Sequence, residues 1–259
     1  MKIHPTAIVD PKAEIHESVE IGPFCIVEKD VSIGEGTVLQ SNVRIESGTK
    51  IGKFNKFSHG CAMGGVPQDL GFNPELRTKL VIGDNNTFRE SCIWHRSTKE
   101  DSPTVVGDKC FFMGNVHAGH DSKIGNNVIV VQGSIIGGHC VVKNNAFISG
   151  LVAIHQFVTI GEYSILAGLA KITKDVPPFV TVDGNPASVI GLNTVGLKRA
   201  GFKPEVRTEI KNAYKIFYHS GFNTKQALEE FGKTSDHSEE VRKIISFFEE
   251  SKRGVTDHR

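Results

Sequence analysis

Residues Val106–Cys140 read VGDKCFFMGNVHAGHDSKIGNNVIVVQGSIIGGHC. Every sixth position is apolar: Val106, Phe112, Ala118, Ile124, Val130 and Ile136. The step continues through Val142, Ile148, Ile154, Ile160, Leu166 and Ile172. Towards the N-terminus, Ile82, Phe88 and Trp94 keep it, and from Ile3 through Val9, Ile15, Ile21, Val27, Ile33, Leu39, Ile45 and Ile51 to Phe57 it holds ten times in ten. In a chain that is 39% hydrophobic, one chosen frame does this by chance about once in ten thousand. The phase is lost across GGVPQDLGFNPELRTK (Gly64–Lys79) and again across HRSTKEDSPT (His95–Thr104).

A period of six suits neither an α-helix at 3.6 residues per turn nor a plain alternating strand. It suits a parallel β-helix, in which each hexad supplies one short strand and one corner. The repeated aliphatic points inward, and glycine or asparagine at the corner accepts backbone angles that branched residues resist. Three hexads close one triangular coil of 18 residues, and coils stack about 4.8 Å apart. The expected fold is all-β, a parallel β-helix over residues 1–190 with inserted loops near 63–80 and 95–105. A C-terminal α-helical domain is expected over 191–259.

That boundary rests on KDVPPFVTVDGNPAS, where Pro177, Pro178 and Pro186 do not fit central ladder positions. Beyond it, Val206, Ile210, Ala213, Tyr214 and Phe217 recur at helical spacing, with Pro204 near the start and Gly221 past the end. A second helix is expected after Asn223. A third is expected after Asp236, where Asp236 and Glu239 have capping-box spacing. Helices here would cover the open end of the solenoid and its strand edges.

Thirty basic and 29 acidic residues leave a net charge of +1, which gives no sign of a nucleic-acid partner. The five cysteines are scattered with no C-x-x-C pair, as in a reduced cytoplasmic protein rather than a disulfide framework or zinc site. No apolar run reaches the roughly 20 residues of a membrane span, so no integral membrane association is expected.

The coil works as a ruler for the histidines. His120 lies two residues after the core position Ala118, His139 three after Ile136, and His155 one after Ile154, so all three fall near one line on the outer surface. His117 precedes Ala118. Three readings stand at this point: solvated surface histidines, a zinc site built from stacked coils, or a general base. In the third, Asp121 beside His120 would fix the imidazole tautomer, and such a contact needs a corner, because adjacent strand residues face opposite ways.

The hexads resemble those of hexapeptide-repeat acyltransferases, whose coils are left-handed. Within that group the chain resembles the acyl-carrier-protein-dependent UDP-N-acetylglucosamine O-acyltransferases, which begin lipid A synthesis. The resemblance spans nearly the whole length. It rests on GGVPQDL (Gly64–Leu70), RESCIWHR (Arg89–Arg96), HAGHD (His117–Asp121), AIHQF (Ala153–Phe157), DVPPFV (Asp175–Val180), GLKRAGF (Gly196–Phe202) and IKNAYKIFYHSG (Ile210–Gly221).

The resemblance implies that His120 is the general base, Asp121 its orienting partner, and the Gly138 N–H the oxyanion donor. It implies that Gln68, Asp69, His117, His139, His155 and Gln156 position the sugar and the hydroxyacyl chain, and that Asn193 and Arg199 lie near the nucleotide and pantetheine. Gly168 matches the chain-length position, with the bulkier Lys171 nearby. No metal and no resident cofactor is expected, since phosphopantetheine arrives on the acyl carrier protein. The implied partners are two further copies of the chain in a homotrimer, the UDP-sugar and the acidic carrier protein. For the carrier, Lys203, Arg207, Lys211 and Lys215 on the first tail helix, with Lys198 and Arg199, form the expected docking face. Val195, Ala200 and Gly71 stand where better-known members carry glutamate, arginine and lysine, which keeps a 3-amino sugar open as an acceptor. The alternatives are the related glucosamine N-acyltransferase, which normally carries an extra N-terminal domain, a zinc-dependent gamma-class carbonic anhydrase, and a non-catalytic trimeric scaffold.

Overall fold

The computed structural model describes residues 2–234 and 236–259. Two- to four-residue strands form three parallel sheets, here A, B and C, and within each coil the chain passes from B to C to A. Ala118 lies in B, Ile124 in C and Val130 in A, and each pairs with the residue 18 positions on: Ile136, Val142 and Ile148. The result is a parallel β-solenoid of about ten coils.

The six-residue positions are the core. From Ile21 to Ile172 each is at most 4% exposed. Ile3 is 41% exposed, because the first coil has no neighbour beneath it. A second inward column lies two residues before the first: Val19, Cys25, Val31, Thr37, Val43, and onward to Val158, Ser164 and Ala170. All five cysteines belong to it, free and buried. They are there because the corner leaves room only for small side chains. In the core, Phe57, Phe88, Phe112 and Trp94 pack together, with successive Phe rings stacked 4.8 Å apart at the coil spacing.

Corners turn through single left-handed residues. On the B–C edge, Asp121, His139 and Phe157 have φ of 60°, 59° and 66°. The C–A edge is laced by side chains that serve the backbone. Asp84, Asp108, Asn126 and Asn144 each accept, through Oδ1, the N–H of a corner residue one coil earlier: Lys53, Asp84, Asp108 and Asn126, at 2.7–2.8 Å. Behind them the fully buried Asn86 donates to Gly107 O and accepts from Cys110 N.

Both insertions leave from the B–C edge, one between the strands Ala62–Gly65 and Leu80–Ile82, the other between Ile93–His95 and Thr104–Val106. The ladder resumes without slippage, Leu80 pairing with Thr49 on one side and Thr104 on the other.

At the C-terminal end, Pro177 and Pro178 do not terminate sheet A. Val180–Gly184 adds a parallel rung to Ile165–Leu166 and pairs antiparallel with Ala187–Leu192, a hairpin that the prolines concealed. Helices α1 (Thr194–Arg199), α2 (Pro204–His219), α3 (Thr224–Phe231) and α4 (Glu239–Glu250) follow. Asn223 caps α3 with a full capping box. For α4 the expected box is absent: Ser238, not Asp236, is the N-cap, and it makes no side-chain cap bond. Phe217 of α2 stacks on Phe248 of α4, and the Tyr214 hydroxyl donates to Pro178 O, which fixes the helices to the last coil. None of the described helices is long and apolar enough to cross a membrane.

Candidate active site

Three residues from each of three coils build the B–C edge at its centre. From the lower coil come Gly119, His120 and Asp121, then Gly137, Gly138 and His139, then His155, Gln156 and Phe157. The pairing of 18-residue steps places Gly138 over His120 and Gln156 over Gly138. The line of corner residues is therefore Asp121–His139–Phe157, not the expected line of histidines. His139 stacks on Phe157 at 4.5 Å, and His120 meets His139 edge to face at 5.1 Å, while His155 lies two positions before the corner, exposed, with Nδ1 3.2 Å from Gln156 O.

His120 Nδ1 is 2.7 Å from Asp121 Oδ2. This contact makes Nδ1–H the donor and leaves Nε2 unprotonated in the neutral ring. The carboxylate is held on its other side by Thr98, whose N–H donates to Oδ1 at 3.0 Å and whose hydroxyl donates to Oδ2 at 2.8 Å. His139 Nε2 lies 3.7 Å from Oδ2. Burial alone would raise the Asp121 carboxyl, but the bonds from His120 and Thr98, with His139 nearby, bring it below its usual range. The pair is thus an ionised carboxylate beneath an imidazole, both largely shielded, with side chains 8% and 13% exposed. Thr98 sits in the second insertion, where no period exists, and the sequence reading did not find it.

Gly138 is required by contact. A Cβ there would lie 2.9 Å from His120 Cε1 and Nε2, so the Nε2 side of the ring occupies the space that glycine leaves. The Gly138 N–H makes no hydrogen bond among the described residues, and a Cβ on Gly119 would crowd that nitrogen at 2.7 Å. The two glycines thus let the coils approach closely enough to set a proton acceptor, His120 Nε2, beside a spare backbone donor, the Gly138 N–H.

His117 lies on the B face just before this edge, edge to face with His95 at 5.0 Å. His95 is 6% exposed, and burial, aided by the charges of His117 and His120, pushes it down to about 4. Burial also lowers His117, and lowers His139 against the opposing pull of Asp121. Gln68 and Asp69 are exposed on the first inserted loop, close enough for the Asp69 charge to act on His139. Gly168 and Lys171 lie exposed at and just after the A–B edge. Asn193 and Arg199 are brought elsewhere. They line a groove on the C–A edge with Tyr163 and Val195, and the Asn193 side chain is already committed, capping α1 at Gly196 N and donating to Tyr163 O.

Comparison with known proteins shows the family of the chain. Residues 12–47 and 103–138 match the bacterial transferase hexapeptide model, and residues 175–256 match the second domain of UDP-N-acetylglucosamine O-acyltransferase. The acyl-[acyl-carrier-protein]–UDP-N-acetylglucosamine O-acyltransferases of Burkholderia orbicola and Burkholderia thailandensis are 45% and 44% identical, with 98% of each chain covered. The crystal structure of the UDP-N-acetylglucosamine acyltransferase of Francisella novicida superposes with a TM-score of 0.95 at 36% identity, over 98% of this chain and 94% of that one. The Campylobacter jejuni enzyme gives 0.92 at 33% identity over the whole of both chains. The chain belongs to the UDP-N-acetylglucosamine O-acyltransferase family.

Proposed function

We propose that the protein transfers a (3R)-hydroxyacyl group from acyl carrier protein to the 3-position of UDP-N-acetylglucosamine or its 3-amino analogue, the first step of lipid A synthesis, in the cytoplasm. The observation that carries this reading is the His120–Asp121 pair beside the Gly138 N–H, which is unpaired among the described residues. His120 Nε2 takes the proton as the 3-hydroxyl oxygen, or the 3-amine nitrogen, bonds to the thioester carbonyl carbon. The Gly138 N–H stabilises the oxyanion. As the carbon–sulfur bond breaks, the imidazolium returns the proton to the pantetheine sulfur, giving the ester or amide and the free thiol. Asp121 stays ionised and steadies the imidazolium.

The assembly in this reading is a homotrimer with left-handed coils, as the family implies. It is supported by the split between the His120 corner on one edge and the Asn193–Arg199 groove on another, which two chains side by side would unite. Ile8 and Ile135, 66% and 51% exposed on the B face, need a cover of this kind. Gln68, Asp69, His117, His139, His155 and Gln156 position the sugar and acyl chain. Arg199 meets the nucleotide, with Asn193 holding the start of its helix. His117, Ile135, Ala153 and Lys171 form one outward row on sheet B. An acyl chain along that row from His117 would meet the Lys171 ammonium after three rungs, about 14 Å, beside the open position Gly168. Lys203, Lys211 and Lys215 are exposed and Arg207 half-buried along α2, which supports docking of the acidic carrier.

A second reading, a zinc site, has one observation in its favour: ligand atoms of His120, Asp121 and His139 lie within 4.8 Å of one another. In the structure the Asp121 Oδ2 atom is in hydrogen-bond contact with His120 Nδ1 at 2.7 Å. The test is turnover of His120→Ala with hydroxyacyl carrier protein and paired 3-hydroxy and 3-amino acceptors, together with metal analysis. Near-normal turnover of the variant would sink the general-base mechanism, and stoichiometric zinc essential for activity would replace it with the second reading.

A further inference from the structure

The B–C edge carries a second concentration of polar groups, N-terminal to the catalytic corner. The first insertion folds back along the edge and leaves a cleft of about 690 Å³ between Pro74–Lys79 and the corners of the lower coils. Lys12, Lys29, Lys50, Arg77, Lys79 and Arg96 line it, against only Asp30 and Glu75. In a chain of net charge +1 this is a strong local excess. None of the six enters an ion pair among the described residues. Arg96 gives one N–H to Gly64 O and lies over the Phe72 ring, and the other five have no side-chain hydrogen bond there.

A second observation is independent of charge. Thr78, 2% exposed in the wall of the cleft, carries a hydroxyl with no hydrogen-bond partner among the described residues. Buried hydroxyls are nearly always paired, so an orphan calls for an explanation. The wall is also fixed. Arg77 N donates to Glu100 Oε1 at 2.7 Å, Lys79 N to Ser97 Oγ at 3.3 Å, and Lys79 O accepts from both Ser97 and Thr104 at 3.1 Å. Like charges held together on an anchored, concave surface focus the field inward and attract a compact ligand of high negative charge.

We propose that this cleft binds a multivalent phosphate anion of the pyrophosphate class. It lies N-terminal to the catalytic corner: Lys50, Val81, Val105 and Lys123 pair in turn, so Lys50 lies three rungs, about 14 Å, below the coil that carries His120, while Arg96, two residues after the Trp94 that pairs with Ala118, brings the upper end of the cleft to one rung below that coil. Its concave form suits a small anion with several oxygens rather than the flat face of a carrier protein. Guanidinium and ammonium groups bind phosphate oxygens through charge-assisted hydrogen bonds.

Calorimetric titration of the full chain with sodium pyrophosphate tests it. One site per chain is expected, weakening as salt rises from about 50 to 200 mM. Affinity should fall roughly tenfold or more in Lys29→Gln/Lys79→Gln, and stay unchanged in His120→Ala and in Lys225→Gln/Lys252→Gln, which loses the same charge elsewhere. Circular dichroism melting confirms that each variant is folded. No binding up to about 10 mM, equal losses in both double variants, or displacement of pyrophosphate by UDP-N-acetylglucosamine would each overturn the proposal. So would wild type that ignores pyrophosphate but needs Lys29 and Lys79 to bind carrier protein, which would make the cleft a docking face.

Discussion

Two edges of the same prism share one backbone design and use their polar residues in opposite ways. On the C–A edge, Asp84, Asp108, Asn126 and Asn144 are each committed to a corner N–H of the preceding coil, and Asn86 behind them is fully paired. On the B–C edge, Asp121 is bonded to Thr98 and His120, while His120 Nε2 and the Gly138 N–H have no partner among the described residues. The difference teaches that aspartate and asparagine side chains on the C–A edge tie coil to coil through backbone N–H groups, whereas the histidine corner joins its coils by ring contacts and keeps a polar atom in reserve. The two sets of residues should therefore fail in different assays.

The largest separation is expected from His120→Ala. Turnover should fall by about 10²–10⁴, or roughly 3–5 kcal/mol of barrier, with the melting temperature nearly unchanged; parallel kinetics and calorimetry check both halves. Asn86→Ala should do the converse. It strands the Cys110 N–H and the Gly107 carbonyl in a buried site, costing about 2–4 kcal/mol in urea unfolding, with kcat per folded enzyme preserved. If that variant lost kcat without losing stability, the contrast between the edges would collapse.

Thr98→Val sharpens the comparison within the reactive edge. It removes the hydroxyl donor to Asp121 but keeps the N–H donor, so kcat should drop about three- to tenfold, close to 1 kcal/mol, with little change in melting. The smallest effect concerns pH. His95 is held neutral, its folded value about 4 against an ordinary 6.5. Between those values the unfolded chain binds the extra proton, so this contribution is full above pH 6.5 and is lost as pH falls towards 4. The slope should be on the order of 1 kcal/mol per pH unit. In His95→Gln it should shrink without vanishing, since His117 and His139 are lowered as well; urea midpoints at several pH values decide it.

The solenoid was legible because one large apolar residue per hexad is a strong, unshared signal, and each of those positions from Ile21 onward is buried. The second inward column was not, since it mixes cysteine, serine, threonine, asparagine and valine, chosen for size rather than polarity. The His120–Asp121 contact could be anticipated from the need for a corner. Thr98 could not, because it reaches Asp121 across 23 residues from a segment with no period. His155 left the expected line for a geometric reason: it lies two positions before the left-handed corner residue, Phe157, which takes the place above His139.

The insertions on the B–C edge have a consequence for how such an enzyme can change. Leu80 and Thr104 rejoin the ladder in register, as though the intervening loops had never left it. Loop length and composition around the histidine corner can therefore drift while the packing beneath stays solved. In evolutionary terms, the fold makes foldedness and substrate choice separately heritable. Gly71, exposed on the first of those loops, lies in the part of the chain where a lineage can try a new acceptor at least risk to the whole.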